Sequence, residues 1–343
     1  MRMPDPLPLA AAPRDRLGRP LHDLRISVIE TCNFRCPYCM PAEHVPDGEG
    51  APDRARRLSF DEIERLARAL VRLGVRKLRL TGGEPLLRKD LPALVARLAV
   101  IPGVDDLALT TNGSLLARQA GALREAGLHR LTISIDSLDP ARFRILTGGR
   151  GELDQVLAGF AAAEAAGFTA IKINCVVQRG VNEDDVLPLV ERFRGTPHVV
   201  RFIEFMDVGS CNGWRPDRVV PSAVLRDRIH ARWPLRALSP GYRGEVAERY
   251  AFADGAGEVG FVSSVSEPFC GDCHRARLSA DGQLFTCLFA GQGHDVRPLP
   301  GEGEEALAAR IAQVWRRRTD RYSELRGPRS TAAKKIEMYL IGG

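Results

Sequence analysis

The sequence predicts an α/β protein: a parallel sheet curved into a partial (β/α)6 barrel of the TIM type, followed by a smaller C-terminal α+β domain. Three observations carry this reading. Six β-rich runs alternate with helix-like stretches through the first two thirds of the chain. The pattern changes after about residue 220. Six of the cysteines fall into two sets of three, one near each end.

The strand candidates are Leu24–Ile29, Lys77–Thr81, Asp106–Thr110, Arg130–Ile135, Ala170–Val177 and Val199–Met206. They read as continuous apolar runs, as expected of parallel strands covered on both faces. Between them lie helix candidates at Phe60–Leu73, Asp90–Val100, Ser114–Ala126, Leu153–Ala166 and Asn182–Arg194. Ser59 and Glu62 have the spacing of a capping box at the start of the first helix. Ligands of such sheets gather at the C-terminal strand ends, so Cys32, Gly82–Pro85, Thr110–Gly113, Asp136 and Met206 are expected to face one pocket. Further on, Arg277–Ser279, Asp281-Gly282 and Leu284–Leu288 read as a hairpin with a D-G turn. Glu302–Arg318 reads as a helix, and Lys335–Ile341 as an alternating run able to dock as a strand. The expected division is 1–19 as a disordered extension, 20–220 as the barrel and 221–343 as a second domain ending in Gly342-Gly343.

Composition narrows the class. The 343 residues are 44% hydrophobic and 27% charged, which suits an ordinary soluble protein. No run has the apolar length of a membrane span, and Met1–Arg16 is too proline-broken for a secretory leader, so a cytoplasmic location is expected. Net charge is +6 with no concentrated basic stripe, which argues against nucleic acid as partner.

Clustered cysteines in such a chain point to metal or iron–sulfur ligation rather than disulfides. Cys32, Cys36 and Cys39 form C-x3-C-x2-C; three thiolates on one loop can hold three irons of a [4Fe–4S] cube and leave the fourth open. A zinc knuckle completed by His44 is the plainer alternative. Cys270, Cys273 and Cys287 form a second set, folded together by the hairpin. Zinc with His274 as fourth ligand is the alternative there. Cys175 lies in an apolar run and reads as a small buried hydrophobe; Cys211 belongs to neither set.

The first cysteine loop, with Tyr38 before its last cysteine and Gly82-Gly83-Glu84-Pro85 downstream, resembles the radical S-adenosylmethionine (SAM) superfamily. From about residue 20 to the end the chain further resembles the GTP 3′,8-cyclase family, molybdenum cofactor biosynthesis protein A. The matching segments are DLRISV, RLTGGEPLLRKDL, LTTNG, IKINCVVQRGVN, RFIEFMDVG, FCGDCHRARLSADG and the terminal IGG. The resemblance implies two [4Fe–4S] clusters on the two cysteine sets, with SAM on the first and GTP near the second. It implies SAM contacts at Tyr38, Gly83, Ser134 and Met206. It implies GTP contacts at Arg25, Arg79, Thr110, Lys172, Arg275 and Arg277, with Lys77 and Arg201 as further candidates. A triphosphate wants convergent arginine and lysine donors, which fits that set. Thr110 and its neighbour Thr111 are interchangeable at this stage. Arg275, Arg277, Gly342 and Gly343 are the expected catalytic positions, the glycine tail reaching the site. The implied partners are an electron donor and a downstream cyclic pyranopterin monophosphate synthase, with a homodimer left open. Two rival readings stand: a radical SAM enzyme that modifies a peptide, and a non-catalytic iron–sulfur or zinc binding module.

Overall fold

The computed structural model describes residues 12–43, 56–327 and 334–342. Its centre is one twelve-stranded mixed sheet. Six strands follow each other in parallel: β1 (Asp23–Ser27), β2 (Lys77–Thr81), β3 (Asp106–Thr111), β4 (Arg130–Ser134), β5 (Lys172–Val177) and β6 (Val199–Glu204). The crossovers carry α1 (Phe60–Arg72), α2 (Leu91–Ala99), α3 (Ala120–Glu125), α4 (Pro140–Leu146), α5 (Leu153–Ala165) and α6 (Val186–Phe193). Then comes α7 (Ser222–Arg232), followed by β7 (Leu235–Ala237), β8 (Glu248–Phe252), β9 (Glu258–Val262), β10 (Arg275–Leu278), β11 (Gln283–Phe285) and β12 (His294–Asp295). The chain ends with α8 (Glu304–Arg316) and the short α9 (Met338–Ile341).

Two late strands lengthen the parallel run at both sides. β9 pairs with β6, and β10 pairs with β1. Antiparallel β8 and β7 then border one edge, and β11 and β12 the other. Among the described residues, the strands after residue 220 therefore extend the first sheet and build no sheet of their own.

The strands are not the continuous apolar runs that the sequence suggests. β1 and β2 alternate between half-buried and buried positions. Leu24, Ile26, Leu78 and Leu80 join the helix residues Leu66, Leu70 and Leu94 in one apolar core. Arg25, Lys77 and Arg79 lie on the other face. A period of two sorts the residues this way in any pleated strand.

Local signals explain the helices. The Ser59–Glu62 capping box forms in both directions at the start of α1, whose buried Ile63, Leu66, Ala67 and Leu70 follow the helical repeat. The expected helix at Ser114–Ala126 is broken into a 3-10 turn and α3, and that at Asn182–Arg194 into a 3-10 turn and α6. α4 was not anticipated, although Asp139 caps it by accepting from the Arg142 backbone and Pro140 opens it. Lys335–Ile341 is not a strand. Its lysine is buried on Asp207, with Nζ 2.9 Å from Oδ2, and the following residues turn into α9.

Residues 12–19 correct a further expectation, that the extension is disordered through Arg19; residues 1–11 lie outside the described residues. Arg19 and Asp15 are buried, and Arg19 Nε donates to Asp15 Oδ2 over 2.6 Å. Arg318 Nη1 lies 3.3 Å from the same carboxylate. The two guanidinium groups also brace the second cysteine loop: Arg19 donates to the Cys270 carbonyl at 2.7 Å and Arg318 to the Cys273 carbonyl at 2.6 Å. Removing Asp15 would leave buried Arg19 without its counter-ion and would take from Arg318 one of its two carboxylates, the other being Asp320 with Oδ2 3.4 Å from Nε. Asp15→Ala is expected to lower stability by about 3–5 kcal/mol, measured by anaerobic urea unfolding. A loss below about 1 kcal/mol would mean that the segment is not anchored here.

Candidate functional site

The inward positions of the parallel strands surround one cavity. It is lined by Asp23 and Arg25 of β1, Lys77 and Arg79 of β2, Thr110 of β3, Arg130 of β4, Lys172 and Asn174 of β5, Arg201 of β6 and Arg275 and Arg277 of β10. Gly260 and Val262 of β9 line it too. Strands from both sides of the parallel run thus share one hollow, so the sheet curls around it. Register brings the cations together: Arg25 stands opposite Arg79 on one side and Arg277 on the other.

Each cation is held differently. Arg79 Nη1 donates to Thr110 Oγ1 at 3.0 Å and Thr132 Oγ1 at 3.1 Å. Arg201 donates twice to Asn174 Oδ1, at 3.0 and 2.7 Å. Arg130 is forked onto Asp106. Burial, then repulsion from Arg277, Arg79, Arg275 and Arg201, holds Arg25 well below its ordinary range. Burial and Arg275 bring Arg277 down to about 9. Burial, Arg201, Arg130 and Arg79 bring Lys172 down to about 7. Like charges crowded in a partly dry hollow repel one another, and an anion entering it would relieve that repulsion.

The first cysteine loop lies beyond the C-terminal end of β1. Among the described residues, Cys32, Cys36 and Cys39 do not line the cavity. The loop is pinned by two glycines. Gly83 N donates to the Ile29 carbonyl at 2.8 Å and Glu84 N to the Thr31 carbonyl at 2.8 Å. A Cβ on Gly83 would stand 2.1 Å from the Thr31 oxygen, and one on Gly82 2.3 Å from the Ile29 oxygen. Glu84 is buried and accepts from Leu86 N, Thr111 Oγ1 and Asn112 N. Thr111 therefore faces away from the cavity, and Thr110 lines it. Tyr38 donates to Asp136 Oδ2 at 2.6 Å. Ser134 ends β4. Met206 lines the cavity, with Ser264 Oγ 2.8 Å from its sulfur.

Burial, Cys39 and Cys32 push the Cys36 thiol well up, and burial and Glu84 push Cys32 up to about 12. The thiols are therefore held protonated, and a cationic centre bound by them would expel those protons.

The second set lies at the opposite end of the strands. Cys273 leads into β10 and Cys287 follows β11; with Cys270 they line the cavity. Of Cys32, Gly82–Pro85, Thr110–Gly113, Asp136 and Met206, which the sequence places on one pocket, Thr110 and Met206 line this cavity, and its other mouth lies at the N-terminal strand ends with the second cysteine set. Burial resists ionisation of Cys273, but Arg275 and Arg318 outweigh it and bring the thiol down to about 6. Arg275 Nη2 is 3.5 Å from its sulfur.

Neither set is drawn together for a single ion. Among the described residues, the trio that brings its ligand atoms within 4.8 Å of one another is His22, Asp23 and His274, not a cysteine set. A tetrahedral zinc pulls its thiolates to about 3.8 Å. A cube puts each thiolate on a different iron and spaces them wider. The His274 ring lies against His22 and Asp23, so its expected zinc alternative with the cysteines fails. His44 lies outside the described residues.

The tail reaches the cavity wall. Arg277 Nη1 donates to the Gly342 carbonyl. Gly342 has φ +68, and a Cβ there would stand 2.0 Å from Thr81 Cγ2. Only glycine fits both demands. Gly343 lies outside the described residues.

Sequence reasoning missed Arg130, Asn174, Tyr242 and Glu245, which also line the cavity. The signal for the first two was present. Arg130-Leu-Thr-Ile-Ser134 and Lys172-Ile-Asn174 alternate polar with apolar residues. Tyr242 and Glu245 come from a loop and carried no periodic signal.

The Radical SAM superfamily profile matches residues 26–193, and that of Molybdenum Cofactor Synthesis C matches 198–324. A GTP 3′,8-cyclase of Xanthomonas campestris pv. campestris is 70% identical over 98% of this chain and 99% of its own. GTP 3′,8-cyclases of Acidothermus cellulolyticus and Staphylococcus carnosus are 54% and 44% identical, each over 96% of this chain and 99% and 98% of their own. Among solved structures, Streptococcus suis SuiB bound to S-adenosylmethionine superposes with TM-score 0.60 at 14% identity, covering 92% of this chain and 72% of SuiB. That likeness concerns the fold.

Two outcomes follow from this geometry. Gly83→Ala must push the Thr31–Cys32 backbone aside. Its anaerobically reconstituted iron content is expected to fall from about eight towards about four per chain; unchanged iron would show that the loop tolerates the methyl group. Lys172 is half-charged near pH 7, and an incoming polyanion raises its affinity for protons. Binding of inorganic triphosphate should take up a proton and weaken as pH rises from about 6 to about 8. Calorimetry in buffers of different ionisation enthalpy reads the uptake, and Lys172→Arg should remove the part that Lys172 contributes. Equal uptake in both proteins would exclude Lys172.

Proposed function

The chain belongs to the GTP 3′,8-cyclase family, and on that premise we propose how its residues divide the work. The reaction is GTP plus SAM giving 3′,8-cyclo-7,8-dihydro-GTP, 5′-deoxyadenosine and methionine, in molybdenum cofactor biosynthesis. Its cofactors are two [4Fe–4S] clusters and SAM. When bound, the reduced cluster and SAM supply a 5′-deoxyadenosyl radical that can remove a ribose hydrogen.

Cys32, Cys36 and Cys39 hold the first cluster, and Cys270, Cys273 and Cys287 the second. Tyr38, Gly83, Ser134 and Met206 position SAM. The supporting observation is the placement of the two cysteine sets at opposite ends of β1, with the crowded cations between them. Arg25, Arg79, Lys172, Arg275 and Arg277, with Lys77 and Arg201 beside them, neutralise the triphosphate. Thr110 holds Arg79 in place. The ribose then lies towards Met206 and the guanine towards the second cysteine set. Arg277, tied to the Gly342 carbonyl, and the Gly342-Gly343 tail keep water and stray conformers from the reacting ribose. Radical chemistry needs such closure because an unguided radical is lost to side reactions.

In this reading residues 20–220 are a partial (β/α)6 barrel, and residues 221–343 supply the second cluster and the tail. An electron donor reduces the first cluster, a downstream cyclic pyranopterin monophosphate synthase takes the product, and the enzyme works in the cytoplasm. A homodimer would leave the cavity's lining within one chain.

The test is anaerobic reconstitution with iron and sulfide, then incubation with GTP, SAM and dithionite, with products read by mass spectrometry. The unmodified chain should give cyclic product and 5′-deoxyadenosine together. Alanine at Cys32, Cys36 and Cys39 should abolish both. Alanine at Cys270, Cys273 and Cys287 should keep some 5′-deoxyadenosine and lose the cyclic product. Efficient cyclisation by the second variant would overturn the division of roles.

A further inference from the structure

We propose that His22, Asp23 and His274 form a third metal site, which holds one divalent ion of the zinc type where β1 and β10 begin. The three ligand atoms lie within 4.8 Å of one another. His22 Nδ1 is 2.7 Å and His274 Nδ1 is 3.7 Å from the same oxygen, Asp23 Oδ1. The two rings meet edge to face with centroids 5.2 Å apart. Two imidazoles and a carboxylate are a ligand set for zinc and its d-block neighbours, with a fourth position left for water.

A second observation points the same way. His274 is 4% exposed, and neither of its ring nitrogens has a hydrogen-bond partner. Buried polar groups without partners are rare and costly, and an unplaced ligand is one of their explanations. The loop at Gly244 covers the Nε2 side, since a Cβ there would stand 2.3 Å from that nitrogen. Nδ1, on the Asp23 side, is left as the ligand atom.

The backbone makes the arrangement durable. His22 and His274 each precede the first residue of a strand, and the strands run parallel. His22 N and Asp23 N donate to the His274 carbonyl at 3.0 and 3.2 Å. The neighbouring cations are engaged elsewhere: Lys77 Nζ lies 3.4 Å above the Tyr242 ring, and Arg275 points at the Cys273 sulfur. On binding, the ion takes the place of the proton between His22 and Asp23, and that proton leaves to solvent. The ion would staple the two strand starts together and steady Cys273 and Arg275, the residues on either side of His274. It uses nitrogen and oxygen where both cysteine sets use sulfur, and it does not depend on the division of roles proposed above.

The test uses the reconstituted holoenzyme, incubated anaerobically with zinc sulfate and desalted. Metal analysis should find about one zinc per chain beside the irons, and zinc K-edge absorption should place nitrogen and oxygen at about 2.0–2.1 Å. His274→Asn and His22→Asn should each cut the retained zinc at least about tenfold with iron unchanged. If His274→Asn also lost iron, His22→Asn carries the test, because that ring is partly exposed and, unlike His274, does not adjoin a cysteine in the sequence. No retained zinc, sulfur at about 2.3 Å, or full zinc in the His22 variant would each overturn the proposal.

Discussion

The site depends on one pairing, the parallel ladder between β1 and β10. It joins residues about 250 positions apart, Asp23 to Arg275 and Arg25 to Arg277. Without it Arg277 would not stand beside Arg25, and the second cysteine set would not share a cavity with β2 to β6. The first cysteine loop leaves β1 at its C-terminal end, and the second enters β10 at its N-terminal end. Parallel direction therefore sets the two sets at opposite ends of the β1–β10 pair, the second of them on the cavity. A strand of five residues is about 17 Å long, which is room for a nucleotide between them.

That pairing is made against an electrostatic gradient. Arg25, Arg79, Arg201, Arg275 and Arg277 crowd together, and most of them are depressed by burial and by one another. The apolar face behind them offsets the repulsion: Leu24, Ile26, Leu78, Ala276 and Leu278 are all buried in the core. Arg275 is the exception, raised because the Cys273 thiolate outweighs its burial. The protein thus keeps a crowded cationic patch in the hollow and stabilises it from the other side of the sheet. The N-terminal segment shares in this, since Arg19 and Arg318 hold the backbone of Cys270 and Cys273.

Close backbone approach is the second recurring device. Gly82 and Gly83 let the β2 turn rest on the cysteine loop, and Gly342 lets the tail pass Thr81 to reach Arg277. In each case a side chain would collide with a backbone or a strand residue that cannot yield. These glycines set distances that no other residue type permits.

The sequence by itself determined the local and compositional facts: the six β/α units, the capping box at Ser59 and Glu62, the D-G turn that folds Cys287 back, and the two cysteine sets. Each is carried by residues a few positions apart, so short-range sterics and hydrogen bonding settle it. The inward face was half legible: Lys172 and Arg25 stood out through their segments, whereas Arg130 was passed over because its alternation was read as a buried run. Only the tertiary structure decided that β9 and β10 join the first sheet, that Thr110 rather than Thr111 lines the cavity, and that residues 12–19 are anchored. It also decided that His274 turns from the cysteines to His22 and Asp23. Those facts depend on which distant strands pair and in what register. Pairing is chosen by the burial of whole faces at once, and a local stretch of sequence carries no record of that choice.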